Sequence, residues 1–323
     1  MFEKILVLTD FSAYAQKFLE YVGDFPEVKD VVILNIVSKD PRAKVWDPAA
    51  RVKDIEWQLA REKKLIKAPG VNVKVRAVSM MDGNIADPED MEVFMAIQRV
   101  ANEENSQLVV MGARGKSIIQ SKLLGSVTRK LLRFGDKHLL IMRYKMPEDL
   151  GPVFAGAEAI PNRFRTKKIS YKVSEPPKGP QMLDKFGTNI LAKVLIPTDF
   201  SQPAEAVISS IGGMKGIGEI VLLHVVSKGE SKEEIDEAIE DATGKLDATS
   251  QRLSKGEIKA TPRLAVGSPD ELLRSIADEE DVSLIAISSV GKNAMREGRI
   301  GSITYDVANT ANRPVLIVRQ RQV

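Results

Sequence analysis

The sequence contains no cysteine, and this absence removes several kinds of chemistry at once. Disulfides, thiolate nucleophiles, iron–sulfur clusters and zinc sites with thiolate ligands are all excluded. Histidine is almost as scarce, because His138 and His224 are the only two and lie in different halves of the chain. We therefore expect no dedicated transition-metal site and no metal-ligand residues.

Long apolar runs are missing as well. No apolar stretch reaches the roughly eighteen residues that a membrane-spanning helix needs. The N-terminus also lacks the basic and then apolar pattern of a signal peptide, since Lys4 is followed directly by strand-like sequence. We expect a soluble, cytoplasmic protein with no membrane partner.

Neither sign of charge dominates. The chain has 47 basic and 44 acidic residues and a net charge of +3, which is too small an excess to indicate a nucleic-acid partner. A basic cluster of Arg163, Arg165, Lys167 and Lys168 is interpreted as part of a solvated linker. No nucleic-acid partner is expected.

What the sequence does contain is a glycine loop of unusual placement. Gly112-Ala113-Arg114-Gly115 is followed by nine residues, 116–124, and then by Gly125-Ser126, with a strand-like run before it and helical sequence from Val127. Glycine lets a backbone approach a ligand closely, and a helix N-terminus offers unpaired N–H groups and the positive end of a dipole. This arrangement predicts a phosphate cradle.

The same loop recurs in the second half. Ser288-Ser289-Val290-Gly291, nine residues, and Gly301-Ser302 lie between a strand-like run and a helix expected to start at Ile303. A single Gly-Ser before a helix is commonly only an N-cap. Because the spacing is kept to the residue in both halves, the pattern favours a binding motif.

Strands and helices alternate through the first half. Helices are expected after a cap at Ser12, over 52–66 and from Asp87-Pro88 to 104, and the segment with Pro41 and Pro48 is interpreted as a polar connection. Strands are expected at 4–8, 31–37, 71–75, 107–111 and 138–142. This alternation predicts an α/β fold with a doubly wound, five-stranded parallel sheet.

The second half replays the first. Thr198-Asp199-Phe200-Ser201 repeats Thr9-Asp10-Phe11-Ser12, and Ser268-Pro269-Asp270-Glu271 has the spacing of a capping box with proline at the first helical position. We predict two tandem domains related by a pseudo-two-fold axis, at 1–144 and 191–323. The proline-rich segment 145–190 has no counterpart and is expected to be a linker or an arm.

The expected sheet also places the site. Ligands of doubly wound sheets bind beyond the carboxyl ends of the strands, where strand order reverses. At this rim Asp10 would accept hydrogen bonds from ribose or base, and the backbone near Ile36 would contact adenine. Capping of the following helix by the Asp10 carboxylate is the competing interpretation, and the residues alone do not decide between them.

These motifs resemble the universal stress protein family in its tandem-domain form, over about 1–143 and 192–319. The resemblance implies α/β domains that bind ATP or AMP, pair through the last strand and act in stress adaptation without a defined catalytic reaction. Mg²⁺ would enter only with ATP. Carried over by motif position, the first site comprises Thr9, Asp10, Ile36, Gly112, Gly115, Gly125, Ser126 and Val127. The second comprises Thr198, Asp199, Val225, Ser288, Gly291, Gly301, Ser302 and Ile303.

One departure from the family pattern bears on affinity. Ser288 stands where the first glycine is expected, so if this position needs positive φ or close approach to a ribose, its Cβ weakens the second site. Leu8 in place of the proline at 197 is expected to be harmless. We expect the first site to bind at least as well as the second.

Two other functions remain open on the sequence. A slow ATPase or adenylyl-transferring enzyme could use the same sheet, although the HxGH and Ser-Gly-Gly-x-Asp-Ser motifs usual in such transferases are absent. No catalytic residue is assigned. A nucleotide-free interaction module, whose glycines serve only turns and caps, is the other alternative.

The last strands suggest how the halves associate. Residues 139–142 and 315–318 are apolar and would lie at sheet edges, which soluble proteins protect. Pairing them within one chain would give an intramolecular domain pair. A homodimer of two such chains is expected in addition.

Overall fold

A computed structural model describes residues 2–22, 25–37, 47–80, 89–113, 124–143, 189–227, 231–292 and 300–320. Its centre is one ten-stranded sheet to which both halves of the chain contribute five strands. We call the elements of the first half the first repeat and those of the second half the second repeat. None of the helices in the described ranges is both long and apolar enough to cross a membrane.

The first repeat alternates strand and helix from its start. Short apolar runs form the inner strands, whereas helices carry apolar residues on one face only. Its strands are β1 (Lys4–Leu8), β2 (Asp30–Val37), β3 (Asn72–Ser79), β4 (Leu108–Gly112) and β5 (His138–Met142). Its helices are α1 (Ala13–Val22), α2 (Pro48–Glu62), α3 (Glu89–Glu103) and α4 (Ser126–Phe134), with a short 3-10 turn, Lys63–Leu65, after α2.

The second repeat follows the same order. Its strands are β6 (Lys193–Pro197), β7 (Glu219–Val226), β8 (Lys259–Val266), β9 (Leu284–Ser288) and β10 (Val315–Val318). Its helices are α5 (Gln202–Gly212), α6 (Lys232–Ser254), α7 (Pro269–Glu279) and α8 (Ser302–Thr310). Pro262 lies within β8, an edge strand, where a missing backbone donor is tolerated.

The strand order is β3-β2-β1-β4-β5-β10-β9-β6-β7-β8. Every neighbouring pair is parallel except β5 and β10, which meet antiparallel with Leu140 opposite Leu316. The predicted α/β fold is confirmed, and the two last strands pair within the chain as expected. We call the β5–β10 junction the seam.

The core has two layers, one on each face of the sheet, and each layer runs through both repeats. One layer is built on alternate strand residues such as Ile5 and Ile196, covered by α1, α2, α5 and α6. The other is built on their neighbours such as Leu6 and Leu195, covered by α3, α4, α7 and α8. Strands covered on both faces account for the continuous apolar runs in the sequence.

Two local predictions were wrong. Pro48 does not lie in a connection but opens α2, because the Asp47 carboxylate caps the helix by accepting from the N–H groups of Ala49 (3.0 Å) and Ala50 (3.1 Å). Ser268 does precede α7, but its hydroxyl donates to the Asp270 carboxylate and caps no backbone N–H. The predicted capping box is therefore not formed.

Some predictions fall outside the described residues. These are the predicted helix start at Asp87-Pro88, nearly all of the segment 145–190 with its basic cluster, and the site residue Gly115.

Candidate functional site

The candidate site lies at the carboxyl ends of β1, β2 and β4. β1 pairs with β2 on one side and with β4 on the other, both parallel, so strand order reverses at β1. Thr9 and Asp10 leave β1 at this rim, close to the end of β4 at Gly112. The second repeat has the same arrangement around β6, with Thr198 and Asp199 beside the end of β9 at Ser288.

The turn after β1 is held by its own side chains. The Thr9 hydroxyl accepts from the Phe11 N–H at 3.1 Å, and the Asp10 Oδ1 atom accepts from the Ser12 N–H at 3.0 Å. Ser12 caps α1, because its Oγ atom accepts from the Ala15 N–H at 3.2 Å. The cap is thus Ser12, and the Asp10 carboxylate supports the turn before it.

Phe11 adopts a positive φ of 63° in this turn. In the second repeat Phe200 does the same, with a φ of 56°, and Thr198 and Asp199 accept from the backbone at 3.0 Å each. Left-handed backbone at a bulky residue costs free energy and persists only where the surroundings enforce it. Its recurrence shows that this turn is a fixed part of both repeats.

A side chain from the neighbouring strand anchors each turn, and the sequence reasoning missed both anchors. The Asn35 amide donates to the Thr9 carbonyl at 2.8 Å, and His224 Nδ1 lies 2.7 Å from the Thr198 carbonyl. Since a carbonyl only accepts, Nδ1 carries the proton. The His224 ring also stacks on Phe200, with centroids 4.6 Å apart. Alignment of residues 31–38 with 220–227 would have paired Asn35 with His224.

The glycine loop is closed at its base in both repeats. The Gly125 N–H donates to the Ala113 carbonyl at 2.9 Å, and the Thr128 hydroxyl donates to the Gly112 carbonyl at 3.3 Å. In the second repeat Gly301 donates to Ser289 at 2.9 Å, and Thr304 donates to Ser288 at 2.7 Å. Each helix start is therefore tied to the end of the strand that precedes the loop.

The helices that begin at these points are not capped by side chains. Gly125 and Gly301 are the N-cap residues of α4 and α8, and no side chain accepts a cap hydrogen bond there. In the part of the chain that the structure describes, no acceptor contacts the next three N–H groups of either helix. These groups belong to Ser126, Val127 and Thr128 in α4 and to Ser302, Ile303 and Thr304 in α8. Such N-termini suit an anion.

The cradle glycines do not adopt left-handed backbone. Gly125 has φ −62° and Gly301 has φ −63°, and Gly112, Gly291 and Ser288 are not among the described residues with positive φ. The conformational reason for a weaker second site is therefore wrong. What glycine supplies here is the space for close approach.

Close approach is visible in the second repeat. The Asp199 Oδ2 atom accepts from the Lys292 N–H at 3.0 Å, and a Cβ added to Gly291 would lie 2.9 Å from the same oxygen. A Cβ added to Gly301 would lie 3.7 Å from the Gly291 nitrogen. The carboxylate, the loop and the helix start thus converge in one place.

The environment of Asp199 favours its charged form. Burial acts to raise the pKa of this carboxyl, but hydrogen bonds from the Ser201 hydroxyl and from the N–H groups of Lys292 and Ser201 outweigh burial and lower the pKa below its usual value. Asp199 is therefore an anion already satisfied by its own chain.

Asp10 is placed differently. Its Oδ2 atom is buried and has no hydrogen-bond partner among the described residues. A buried acceptor left unpaired costs free energy, and native structures rarely keep one without a reason. Asp10 therefore has a buried oxygen that no donor among the described residues satisfies.

The remaining predicted site residues lie at the same rim. Ile36 and Val225 are partly buried near the ends of β2 and β7, and Val127 packs on the same core layer as both. Ile303 is exposed beside its helix start. Within the described ranges, His, Asp and Glu side chains form no group of three or more that could hold a metal ion.

Two repeats of the same doubly wound strand order share one sheet, and each has an uncapped helix start after its glycine-loop segment. These features define the class of this protein as a tandem α/β protein. The model of the universal stress protein family matches residues 1–143 and 191–319. The chain belongs to the universal stress protein family.

Individual relatives agree with this assignment. A universal stress protein of Methanocaldococcus jannaschii is 30% identical over 154 residues, covering 40% of this chain and 95% of the relative. One of Methanothermobacter thermautotrophicus is 29% identical over 153 residues, covering 44% of this chain and 97% of the relative. The crystal structure of a universal stress protein from Archaeoglobus fulgidus is 17% identical and covers 98% of this chain and 96% of that one, with a TM-score of 0.58. The last comparison supports the fold alone.

Proposed function

We propose that this chain binds adenine nucleotide, ATP or AMP, at the carboxyl ends of its strands and regulates other proteins through nucleotide-dependent contacts. The observation that carries the proposal is the pairing of an uncapped α4 N-terminus with a buried, unsatisfied Asp10 oxygen at the rim where strand order reverses. The first group matches a phosphate, and the second matches a ribose hydroxyl.

Each part of an adenine nucleotide can be matched to groups at this rim. The N–H groups of Gly115, Ser126 and Val127 would hold phosphate oxygens, whereas the Gly125 N–H already donates to the Ala113 carbonyl. Asp10 would accept from ribose, and the backbone at Ile36 would contact adenine. Mg²⁺ would accompany the phosphates of ATP, because this cation keeps several water ligands and needs few from the protein. The second repeat offers the corresponding set around Asp199.

The wider role belongs to the same proposal. Among the described residues at the rim, no group is arranged as a nucleophile and base. We therefore infer a regulatory protein of the stress response and not an enzyme. We further propose that it acts in the cytoplasm and that two chains associate into a homodimer. Light scattering on the purified chain tests the dimer, and a mass of one chain would remove that part of the proposal.

The decisive experiment removes one backbone donor. Ser126 is the first residue of α4, where proline is accepted, and Gly125 has ψ 159°, which is compatible with a following proline. Ser126→Pro therefore deletes an N–H without unwinding the helix. Ser126→Ala is the matched control, because it deletes the hydroxyl and keeps the N–H.

Both variants and the wild type are stripped of carried nucleotide and titrated calorimetrically with ATP and AMP in the presence of Mg²⁺. We expect Ser126→Pro to weaken binding at the first site about tenfold or more, as for a charge-assisted hydrogen bond, and Ser126→Ala to change it by less than about threefold. A stripped wild-type chain that binds neither nucleotide would refute the proposal. Measurable release of ADP would instead support the slow ATPase.

A further inference from the structure

The seam contains a reciprocal exchange of arginines. Arg319 directly follows β10, and its guanidinium reaches into the first repeat, where it donates to the carbonyls of Leu131, Leu132 and Lys137 at 2.8 Å each. Its backbone N–H donates to His138 Nδ1 at 3.1 Å. Leu131 and Leu132 lie in the last turn of α4. The second repeat thus supplies a guanidinium to the C-terminal end of α4, where the Leu131 carbonyl also accepts from the Gly135 N–H at 3.0 Å.

Arg143 makes the corresponding contact in the other direction, from the first repeat to the second. It directly follows β5, is buried, and donates from Nη2 to the carbonyls of Ala308 and Asn309 in the last turn of α8, at 2.8 Å to Asn309. Arg143 and Arg319 therefore occupy equivalent positions in the two repeats. Each satisfies the C-terminal carbonyls of a helix in the opposite repeat.

An arginine side chain is well suited to bind the C-terminal end of a helix. The last carbonyls of a helix lack intrahelical partners and form the negative end of its dipole, so a cation with several N–H donors stabilises them. Burial lowers the pKa of Arg319 to about 10, and the Asp136 carboxylate acts in the opposite direction. The guanidinium is therefore still charged at neutral pH.

The opposite ends of the same helices are the proposed phosphate cradles. α4 and α8 contain nine residues each, so cradle and arginine are separated by roughly 13 Å of continuous helix. At the cradle end, hydroxyl groups tie each helix to a strand. Arg133 of α4 also lies over the Tyr305 ring of α8, 4.7 Å from its centroid. Each of these short helices is therefore held at both of its ends.

We propose that Arg319 and Arg143 are positioning residues, each of which serves the nucleotide site of the repeat to which it does not belong. This inference rests on the proposed function. Arg319 fixes the position of α4 along its axis and neutralises the negative end of its dipole. It thereby sets where the Ser126 and Val127 N–H groups lie and keeps the potential around them positive. Arg143 does the same for Ser302 and Ile303 through α8.

The test weakens one site at a time in the full-length chain, so that the two binding steps are separated in the titration. Ser302→Pro removes a donor from the second site and leaves the first to be titrated with ATP, and Ser126→Pro does the reverse. In the Ser302→Pro background, Arg319→Met is expected to weaken first-site binding about three- to tenfold. In the Ser126→Pro background, the same Arg319→Met change should alter second-site binding by less than twofold.

Arg143→Met is the matched control. It should weaken second-site binding in the Ser126→Pro background and change first-site binding by less than twofold in the Ser302→Pro background. Arg319→Lys, which keeps a cation but cannot reach three carbonyls, should weaken the first site by an intermediate factor. A general loosening of the seam would weaken both sites together, so equal effects of Arg319→Met at the two sites would overturn the inference. No effect at either site would overturn it as well.

A readout without nucleotide separates this inference from the proposed function. In the stripped chain, Arg319→Met should shift the amide resonances of Ser126 and Val127 and leave those of Ser302 and Ile303 in place, because only α4 loses its clamp. If the amide resonances shift in Arg319→Met but the wild type binds no nucleotide, the proposed function is rejected, and with it the role of the arginines in binding. If the wild type binds nucleotide but Arg319→Met does not shift the Ser126 and Val127 resonances selectively, only the positioning role of the arginines is rejected.

Discussion

The two repeats share a scaffold but differ in the contacts of the aspartate that follows the first strand of each. In both, a threonine and an aspartate hold the turn after the first strand, and a phenylalanine in that turn has positive φ. Asp199, however, binds the Lys292 N–H of its own loop, whereas the corresponding Asp10 oxygen has no partner in the described chain. Residues that shape the turn have been kept, while the acceptor they present is occupied in one repeat and open in the other.

This difference gives a physical reason to rank the sites. A ribose hydroxyl that reaches Asp10 gains a hydrogen bond to the carboxylate and breaks none that the described residues make to Oδ2. At Asp199 it must first break a hydrogen bond of 3.0 Å. The first site is therefore expected to bind more tightly, for a reason distinct from the serine at position 288.

The largest expected effect is that of Asp10→Asn. The amide oxygen can still accept from the Ser12 N–H, so the turn is kept, but a donor replaces the free acceptor. First-site affinity should fall about tenfold to hundredfold, since a hydrogen bond to a charged group contributes about 1.5–3 kcal/mol. Calorimetric titration with ATP in the Ser302→Pro background measures this loss.

Asp199→Asn is the matched control for that comparison. It should change second-site affinity far less, because the carboxylate is already engaged by the loop. Equal losses in the two variants would show that the loop bond of Asp199 opens freely, and the ranking of the sites would then have no basis.

The next effect concerns the loop itself. Gly291→Ala places a Cβ 2.9 Å from Asp199 Oδ2, so the carboxylate or the loop must shift, at a cost of about 2 kcal/mol in the free energy of unfolding. Gly301→Ala meets nothing closer than 3.6 Å and should cost less than about 1 kcal/mol. Urea unfolding of both variants, without nucleotide, measures the difference. A cost no larger for Gly291→Ala than for Gly301→Ala would mean that the approach of Asp199 is not tight.

A smaller effect should appear in the pH dependence of stability. The pKa of Asp199 is lowered below its usual 3.8 in the folded chain, so its contribution is present above pH 3.8 and is lost as pH falls through the folded-state pKa. At neutral pH Asp199→Asn should be less stable than the wild type by about 1 kcal/mol. The gap should close on acidification below pH 3.8. A gap that stays constant to the lowest pH at which the fold persists would assign the loss to packing instead.

Much of the fold could be predicted from local sequence, because strand type, helix capping and the repeated Thr-Asp-Phe-Ser are local signals. The start of α2 could also have been predicted, since Asp47-Pro48 carries the same signal that was used at Asp87-Pro88. The capping box at Ser268 failed because a hydroxyl has a choice of partners, and here it donates to Asp270.

Only the site residues that belong to the repeated sequence motif could be predicted. Arg143 and Arg319 contact carbonyls more than 160 residues away in the chain, so no local pattern announces them. The two aspartates come from identical tetrapeptides, and the bond from the Lys292 N–H to Asp199 is seen only in the folded chain. The ligand contacts of the sixteen predicted site residues remain predictions.

The smallest expected effect is the loss that remains in His224→Asn once the missing ring stacking is counted, and it compares the anchors of the two turns. Asn35 and His224 differ in chemistry, yet each donates one hydrogen bond to a threonine carbonyl, at 2.8 and 2.7 Å. His224→Asn loses the stacking on Phe200, which contributes about 0.5–1.5 kcal/mol. If the hydrogen bond is the shared role of the two anchors, the free energy of unfolding should fall by less than about 0.5 kcal/mol beyond that loss. His224→Leu fills similar space but leaves the Thr198 carbonyl without this donor, so it should cost about 1–2 kcal/mol more than His224→Asn. Urea unfolding of the two variants measures the difference, and equal costs would show that the imidazole serves this turn by packing and that the resemblance between the two anchors is only geometric.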